Sequence, residues 1–362
     1  MGHPNNYRKR NITNSKHSKV IENAQKASKV QKDQAMDSKG INDLLNFWTL
    51  FHIPTQDVLF TPIDYVLLIL IMIISLATHL FMLGFPSSVV FDEVYFGNFT
   101  NYYHQGEYYF DIHPPLGKLI LYAGSVITRY KANHIFSQIG APLNKIEIMK
   151  LRFWPSLFGA LRAPIMYLTL KYLYISTPWC FTISLFISLD NGLIIESRLV
   201  LIDAFLSFFA CLTFLATAAI IRNQKDAKKN LYIRAILAGL AAGATVSIKF
   251  TGSGVAIMLV FAIFINYPFT EAITLSFIAG MSGLFLFFMQ FVVHFLLLPR
   301  RGVGCPFQRE YCAQLLPAIH ATEVEPYKIR SKKRISMISA IFDLVRTMLS
   351  SNFAIDAQHS YS

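Results

Sequence analysis

The sequence predicts an all-α integral membrane protein of about seven transmembrane helices, with interfacial helices in a large first luminal loop. Three observations carry this reading. Charged residues make up 15% of the chain and hydrophobic residues 54%, where soluble domains carry roughly 25% charge. The apolar residues gather in blocks of about 17 to 25, the length that crosses a bilayer as a helix. Basic residues collect outside those blocks, in the N-terminal tail, one short loop and the C-terminal tail, where orientation or lipid contact accounts for them. The net charge of +12 is therefore not a nucleic-acid signal.

Residues 1–60 are polar and basic and lack an apolar region followed by a small-residue cleavage site, so they read as a disordered cytosolic tail. Spans are expected at Tyr65–Phe85, Phe153–Leu173, Trp179–Ile195, Leu199–Ile221, Leu231–Ile248, Gly254–Ile265 with its flanks, and Ile273–Leu298. Only Lys249-Phe-Thr-Gly-Ser253 separates the fifth from the sixth. Leu116–Ile127 is too short to span and holds Lys118, so it is expected to be interfacial. Residues 93–104 read as an amphipathic helix on the luminal surface, with Tyr102, Tyr103, Tyr108 and Tyr109 mainly as interfacial anchors. Residues 61–298 form the transmembrane core. Residues 299–362 form a luminal tail, in which 334–349 reads as a second amphipathic helix following the basic run Arg330–Arg334.

The basic tail and the basic loop Arg222–Lys229 are four crossings apart, so both face one side, expected to be the cytosol. Loop 86–151 and the tail after Leu298 then face the lumen. Asp92, Glu93, Asp111, His113, Arg152, Glu196, Arg198, Asp203 and Lys249 consequently fall at or near one membrane face. Charges at the mouths of spans are costly and tend to line functional cavities. An oxidising lumen would allow Cys305 and Cys312 to pair, whereas Cys180 and Cys211 read as packing residues. The sequons Asn98-Phe-Thr100 and Asn11-Ile-Thr13 are expected to be unused, the first lying at the membrane and the second in the cytosol.

Two segments stand out, Phe91-Asp-Glu-Val-Tyr-Phe-Gly97 and Asp111-Ile-His-Pro-Pro-Leu-Gly-Lys118. Arg152-Phe-Trp-Pro-Ser-Leu-Phe-Gly159, Glu196-Ser-Arg-Leu-Val-Leu-Ile-Asp203 and Ser247-Ile-Lys-Phe-Thr-Gly252 follow in order. Together they resemble the protein O-mannosyltransferases. The resemblance implies the C-type glycosyltransferase membrane bundle and inverting transfer of mannose from dolichyl phosphate mannose to Ser or Thr of secretory-pathway proteins. It also implies dimers with a family member in the endoplasmic reticulum membrane, Asp92 and Glu93 as the catalytic pair, and a functional role for Arg152. Tyr95 stands where many members have His. The beta-trefoil (MIR) module that eukaryotic members carry after the seventh span is not visible, and the chain stops before the family's remaining spans, as a truncated member would.

The residue types suit that chemistry. Attack by an acceptor hydroxyl on the anomeric carbon needs a general base, supplied by Asp92 or Glu93. Phosphate is a good leaving group that needs fixed positive charge in a low-dielectric pocket. His113, Arg152, Arg198 and Lys249 are the candidates to hold it, guanidinium by its bidentate geometry and Lys as a point charge. Mid-span Arg162 is expected to pair inside the bundle. Asp111, Glu196 and Asp203 are expected to support the site, Glu196, Arg198 and Asp203 as a buried ion network. No cofactor is required. A divalent metal on Asp92, Asp111 and His113 finds no characteristic ligand spacing. Two other readings share these features: a non-catalytic or truncated subunit of a mannosyltransferase dimer, and another polyprenyl-phosphate-sugar glycosyltransferase of the same fold. A transporter would show paired half-repeats, and the sequence shows none.

Overall fold

The computed structural model describes residues 60–319 and 335–354. The basic tail with its Asn11 sequon, the run Arg330–Arg334 and residues 355–362 lie outside the described residues. The helices are α1 (Pro62–Leu80), α2 (Glu93–Gln105), α3 (Leu116–Ile127), α4 (Lys145–Tyr172), α5 (Thr177–Leu189), α6 (Asn191–Ser197), α7 (Asp203–Arg222), α8 (Lys228–Ile248), α9 (Ser253–Asn266), α10 (Phe269–Leu297), α11 (Arg309–Cys312) and α12 (Met337–Ala354). Among the described residues there are isolated bridges but no strand.

Helices occupy all seven expected spans, but length and apolarity qualify fewer. α1, α7, α8 and α10 are long and apolar enough to cross a membrane, and α5 with α6 makes a fifth if the bent pair is one span. α4 lies at the second expected span and has 28 residues, yet it carries Glu147, Arg152, Arg162 and Lys171 and two internal prolines. α9, at the sixth, has 14 residues. The third expected span, Trp179–Ile195, is bent by 53° between α5 and α6. Asp190 causes the break: its carboxylate accepts from Leu193 N–H at 2.8 Å and starts a new helix.

α4 packs against α1, α5 and α7, and α8 lies between α7 and α10. The last contact is backbone on backbone. A Cβ on Gly239 would stand 2.1 Å from the Ala279 carbonyl oxygen, and one on Gly243 would stand 2.6 Å from Gly283 Cα. Small residues allow such approach where van der Waals packing must hold helices together. Between α8, α9 and α10 the same residues leave an apolar cavity of about 300 Å³ that reaches Val246 and Phe287.

The long loops form a layer with its own core. Tyr103, Tyr108 and Tyr109 are buried among Phe291, Phe295, the Cys305–Cys312 disulfide and the Ala340, Ile341, Leu344 and Met348 stripe of α12. They are core residues and not the interfacial anchors expected. α2 likewise buries Phe96, Gly97 and Tyr103 inside the protein. The expectation failed because a Tyr ring that can reach hydrogen-bond partners is as stable in a protein core as in a headgroup layer. Tyr103 bonds His294 Nδ1 at 2.7 Å, and Tyr108 donates to Gln308 Oε1 at 2.7 Å.

At the bundle end opposite this layer, Asp64 of α1 is fully buried. It accepts from Thr61 N–H and hydroxyl, Tyr167 hydroxyl and Thr177 hydroxyl, and it pairs with Lys171 at 3.0 Å. One carboxylate thus ties α1, α4 and α5. Asp64→Ala strands Lys171 and is expected to cost about 3 to 5 kcal/mol, read as a lowered melting temperature of the detergent-solubilised protein.

Candidate active site

Asp92 and Glu93 are adjacent, and the fold gives them opposite environments. The chain turns through Phe91, whose φ of +50° lies in the left-handed region, and enters α2 at Asp92. Successive residues on a helix diverge by about 100°, so one carboxylate turns inward and the other does not. Glu93 is completely buried. Arg152 of α4 grips it bidentately, Nε to Oε1 and Nη2 to Oε2, each at 2.7 Å. Val90 N–H and Val200 N–H complete its shell, both at 2.9 Å.

Arg152 is equally enclosed. Its remaining donors go to the carbonyls of Leu83 at 3.3 Å, Pro86 at 2.7 Å and Ser88 at 3.1 Å. All five guanidinium N–H groups are engaged. The expectation that Arg152 holds a donor phosphate is therefore corrected: no donor remains. Glu93 has no free face for an acceptor hydroxyl either. The pair is a positioning device that joins the segment before α2, α4 and the linker before α7.

Asp92 is half-buried, and among the described residues nothing hydrogen-bonds its carboxylate. Burial raises its pKa above the ordinary carboxylate value; Lys249 opposes this, and Asp203 and Asp111 add to it. These groups reach one place from different elements. Asp203 opens α7 and forms an ion pair with Lys249, which closes α8. His113 stands in the same field of Asp111, Lys118, Lys249 and Asp203, and burial is the main cause that lowers its pKa. Its imidazole is thus neutral near pH 7, an N–H donor and not a cation.

Arg198 ends α6 and donates to the Met82 carbonyl at 3.0 Å. Its other N–H groups have no partner among the described residues. Glu196 lies within electrostatic reach of Arg162, Asp203 and Lys249, but among the described residues no ion pair joins it to Arg198. The expected Glu196–Arg198–Asp203 network is therefore replaced by the Asp203–Lys249 pair. Arg162 does bond inside the bundle, to Gly159 carbonyl, Ser207 hydroxyl and Leu193 carbonyl.

Lys118 is a residue whose part sequence reasoning missed. It is 1% exposed, pairs with Asp111 and donates to the His113 carbonyl at 2.6 Å. Its signal is the single Lys in the apolar run Leu116–Ile127. Asn98 of the loop sequon spends its amide on the carbonyls of Val94 and Phe136. Among the described residues no group of three His, Cys, Asp or Glu is placed to hold a metal ion.

Removing one partner of a buried ion pair costs far more than the pair contributes. Arg152→Ala is expected to lower stability by about 3 to 5 kcal/mol. The double change with Glu93→Ala should lose less than the sum of the two, and Arg152→Lys should not restore a contact that needs five donors. Unfolding in detergent measures all of these.

The chain is similar to known proteins in sequence and in fold. A family model described as dolichyl-phosphate-mannose-protein mannosyltransferase matches residues 69–300. Dolichyl-phosphate-mannose–protein mannosyltransferase 4 of Schizosaccharomyces pombe is 33% identical over 202 residues, 54% of this chain and 26% of that protein. The protein of the same name from Candida albicans is 29% identical over 72% of this chain and 37% of its own length. Protein O-mannosyl-transferase 1 of rat is 28% identical over 65% and 34%. The chain thus spans between about a quarter and two fifths of these relatives. The solved Saccharomyces cerevisiae Pmt1–Pmt2 complex bound to the sugar donor shares the fold, with a TM-score of 0.65 at 24% identity over 75% of this chain and 38% of that one. The matched family segment runs from within α1 to just past α10 and contains Asp92, Glu93, the Asp111–Lys118 turn, Arg152 and the Asp203–Lys249 pair. On that match, the chain is a member of the dolichyl-phosphate-mannose-protein mannosyltransferase family.

Proposed function

We propose that this chain transfers mannose from dolichyl phosphate mannose to Ser or Thr hydroxyls of secretory-pathway polypeptides, with Asp92 as general base. The observation that carries this is the contrast between two neighbouring carboxylates: Glu93 is fully committed to Arg152 and backbone N–H groups, while Asp92 accepts no hydrogen bond among the described residues and lies in the field of Lys249. In the reaction, Asp92 takes the proton of the acceptor hydroxyl as its oxygen bonds to the anomeric carbon. The bond from that carbon to the phosphate oxygen breaks, and dolichyl phosphate leaves with the electron pair. Attack opposite the leaving group inverts the sugar carbon.

The donor's phosphate is placed at Lys249, with the spare N–H groups of Arg198 and the neutral N–H of His113 completing its shell. Fixed donors aimed at developing charge in a low-dielectric site stabilise the transition state. Asp111 and Asp203 hold Lys118 and Lys249 in place, and Glu196 adds to the same field. The apolar cavity between α8, α9 and α10 would take the first isoprene units of the donor, because Val246 in its wall is one turn from Lys249. This reading places the Asp92 end of the bundle in the lumen of the endoplasmic reticulum, the basic loop Arg222–Lys229 in the cytosol, and a second family member beside the chain, as in the Pmt1–Pmt2 complex.

The test is transfer from labelled dolichyl phosphate mannose to a Ser/Thr peptide in membranes holding this chain, alone and with a full-length relative. Asp92→Asn should lower kcat by about 100-fold or more. Because burial raises the Asp92 pKa, the base form is lost as pH falls through that raised value. The acid limb of kcat/KM should therefore lie above the ordinary aspartate range. Transfer that survives Asp92→Asn in both settings would overturn the assignment.

A further inference from the structure

The turn from Asp111 to Leu116 is held from three directions. Lys118 donates to the His113 carbonyl and pairs with Asp111. Gln290 of α10, 4% exposed, accepts from Leu116 N–H at 2.7 Å and so satisfies a free donor at the start of α3. Asn352 in the last turn of α12 donates one amide hydrogen to the Ile112 carbonyl at 2.8 Å and the other to the Met348 carbonyl at 2.9 Å.

The third contact bears on His113 most directly. The Ile112 carbonyl and the His113 N–H belong to one rigid peptide plane. A bond to that carbonyl therefore sets the orientation from which the His113 side chain departs. The carbonyl on the other side of His113 is held by Lys118, while the imidazole itself has no hydrogen-bond partner among the described residues. α12 is in turn moored: Gln308 donates to the Ala340 carbonyl at 2.9 Å while accepting from Tyr108. Gln308 lies in the loop closed by the Cys305–Cys312 disulfide. The helix that carries Asn352 is thus tied at its first turn to the layer that its last turn clamps.

We infer that Asn352 is a positioning residue for His113, so that a side chain from α12 orders the turn that presents His113 to the proposed donor-phosphate site. This rests on the mannosyl-transfer reading for its kinetic consequence and on geometry alone for the clamp. Asn352→Asp keeps the shape, removes the donor and sets a carboxylate oxygen against the Ile112 carbonyl. Asn352→Ala removes the side chain altogether.

Two readouts test it on the full chain in detergent or membranes. Hydrogen–deuterium exchange should rise in peptides covering 111–118 for both variants, with α12 itself still protected, and should not change in Phe353→Ser, a neighbour that is 88% exposed. Mannose transfer should lose about five- to tenfold in kcat, the worth of one hydrogen bond, with KM for the acceptor peptide unchanged. In a His113→Ala background the second loss should disappear, because the two residues act as one. Unchanged exchange at 111–118, or an equal loss with and without His113, overturns the proposal. A wild-type chain that transfers no mannose alone or with its relative would count against the mannosyl-transfer reading, while the exchange result would still decide whether Asn352 holds the turn.

Discussion

The buried pair of Glu93 and Arg152 is the contact on which the rest of the site depends. Two opposite charges removed from water are stable only when geometry is good and every remaining lone pair and proton has a partner. Here the carboxylate takes four hydrogen bonds and the guanidinium five. Together those bonds join three stretches of chain: the segment 83–90, α4 and the linker at Val200. The loop that delivers Asp92 is also pinned by buried Val89, whose N–H donates to the Ala141 carbonyl, so the pair and this contact place it together. The placement of Asp92 thus follows in part from satisfying one desolvated arginine.

A second organising constraint is the separation of polar work between the two ends of the bundle. Asp64, Lys171, Tyr167 and Thr177 lock one end; the Asp92, Asp203 and Lys249 group occupies the other. Between them, α8 and α10 meet through glycine backbones. The locked end and the packed middle hold the helices in register, which lets the charged end keep a half-buried carboxylate uncommitted. An unpaired group of that kind is destabilising by itself, and the fold tolerates it because satisfied networks surround it.

Much of this was legible in the sequence. The apolar blocks found a helix at each expected span, though not its start at Lys145 or the bend in the third, and the two Pro before Leu116 gave α3 to the residue, because proline placement is a local property. The break at Asp190 was not read, although Asp-Asn-Gly inside an apolar run carried its signal. The division of roles within Asp92-Glu93 was beyond reach. Both are carboxylates at a helix start, and only the position of Arg152, 59 residues away from Glu93, decides between them. Arg152 was misjudged for the same reason: its carbonyl partners Leu83, Pro86 and Ser88 carry no side-chain signature. The tyrosines of the first loop were assigned to the membrane surface because nothing local announces that α12 will return to cover them.

That return has a consequence in time. Ile112 and Asn352 are 240 residues apart. At ribosomal rates of about 5 to 20 residues per second, the turn that presents His113 is synthesised roughly ten to fifty seconds before the side chain that clamps it exists. During that interval the charged end of the bundle can assemble around Glu93 and Arg152 but cannot be finished. A chain still being translated would thus carry Asp92 beside a turn that one of its three clamps has not yet reached. Until α12 is made, the Asp111–Leu116 turn is held by Lys118 and, once α10 exists, by Gln290, and the third clamp is the one that long-range order supplies.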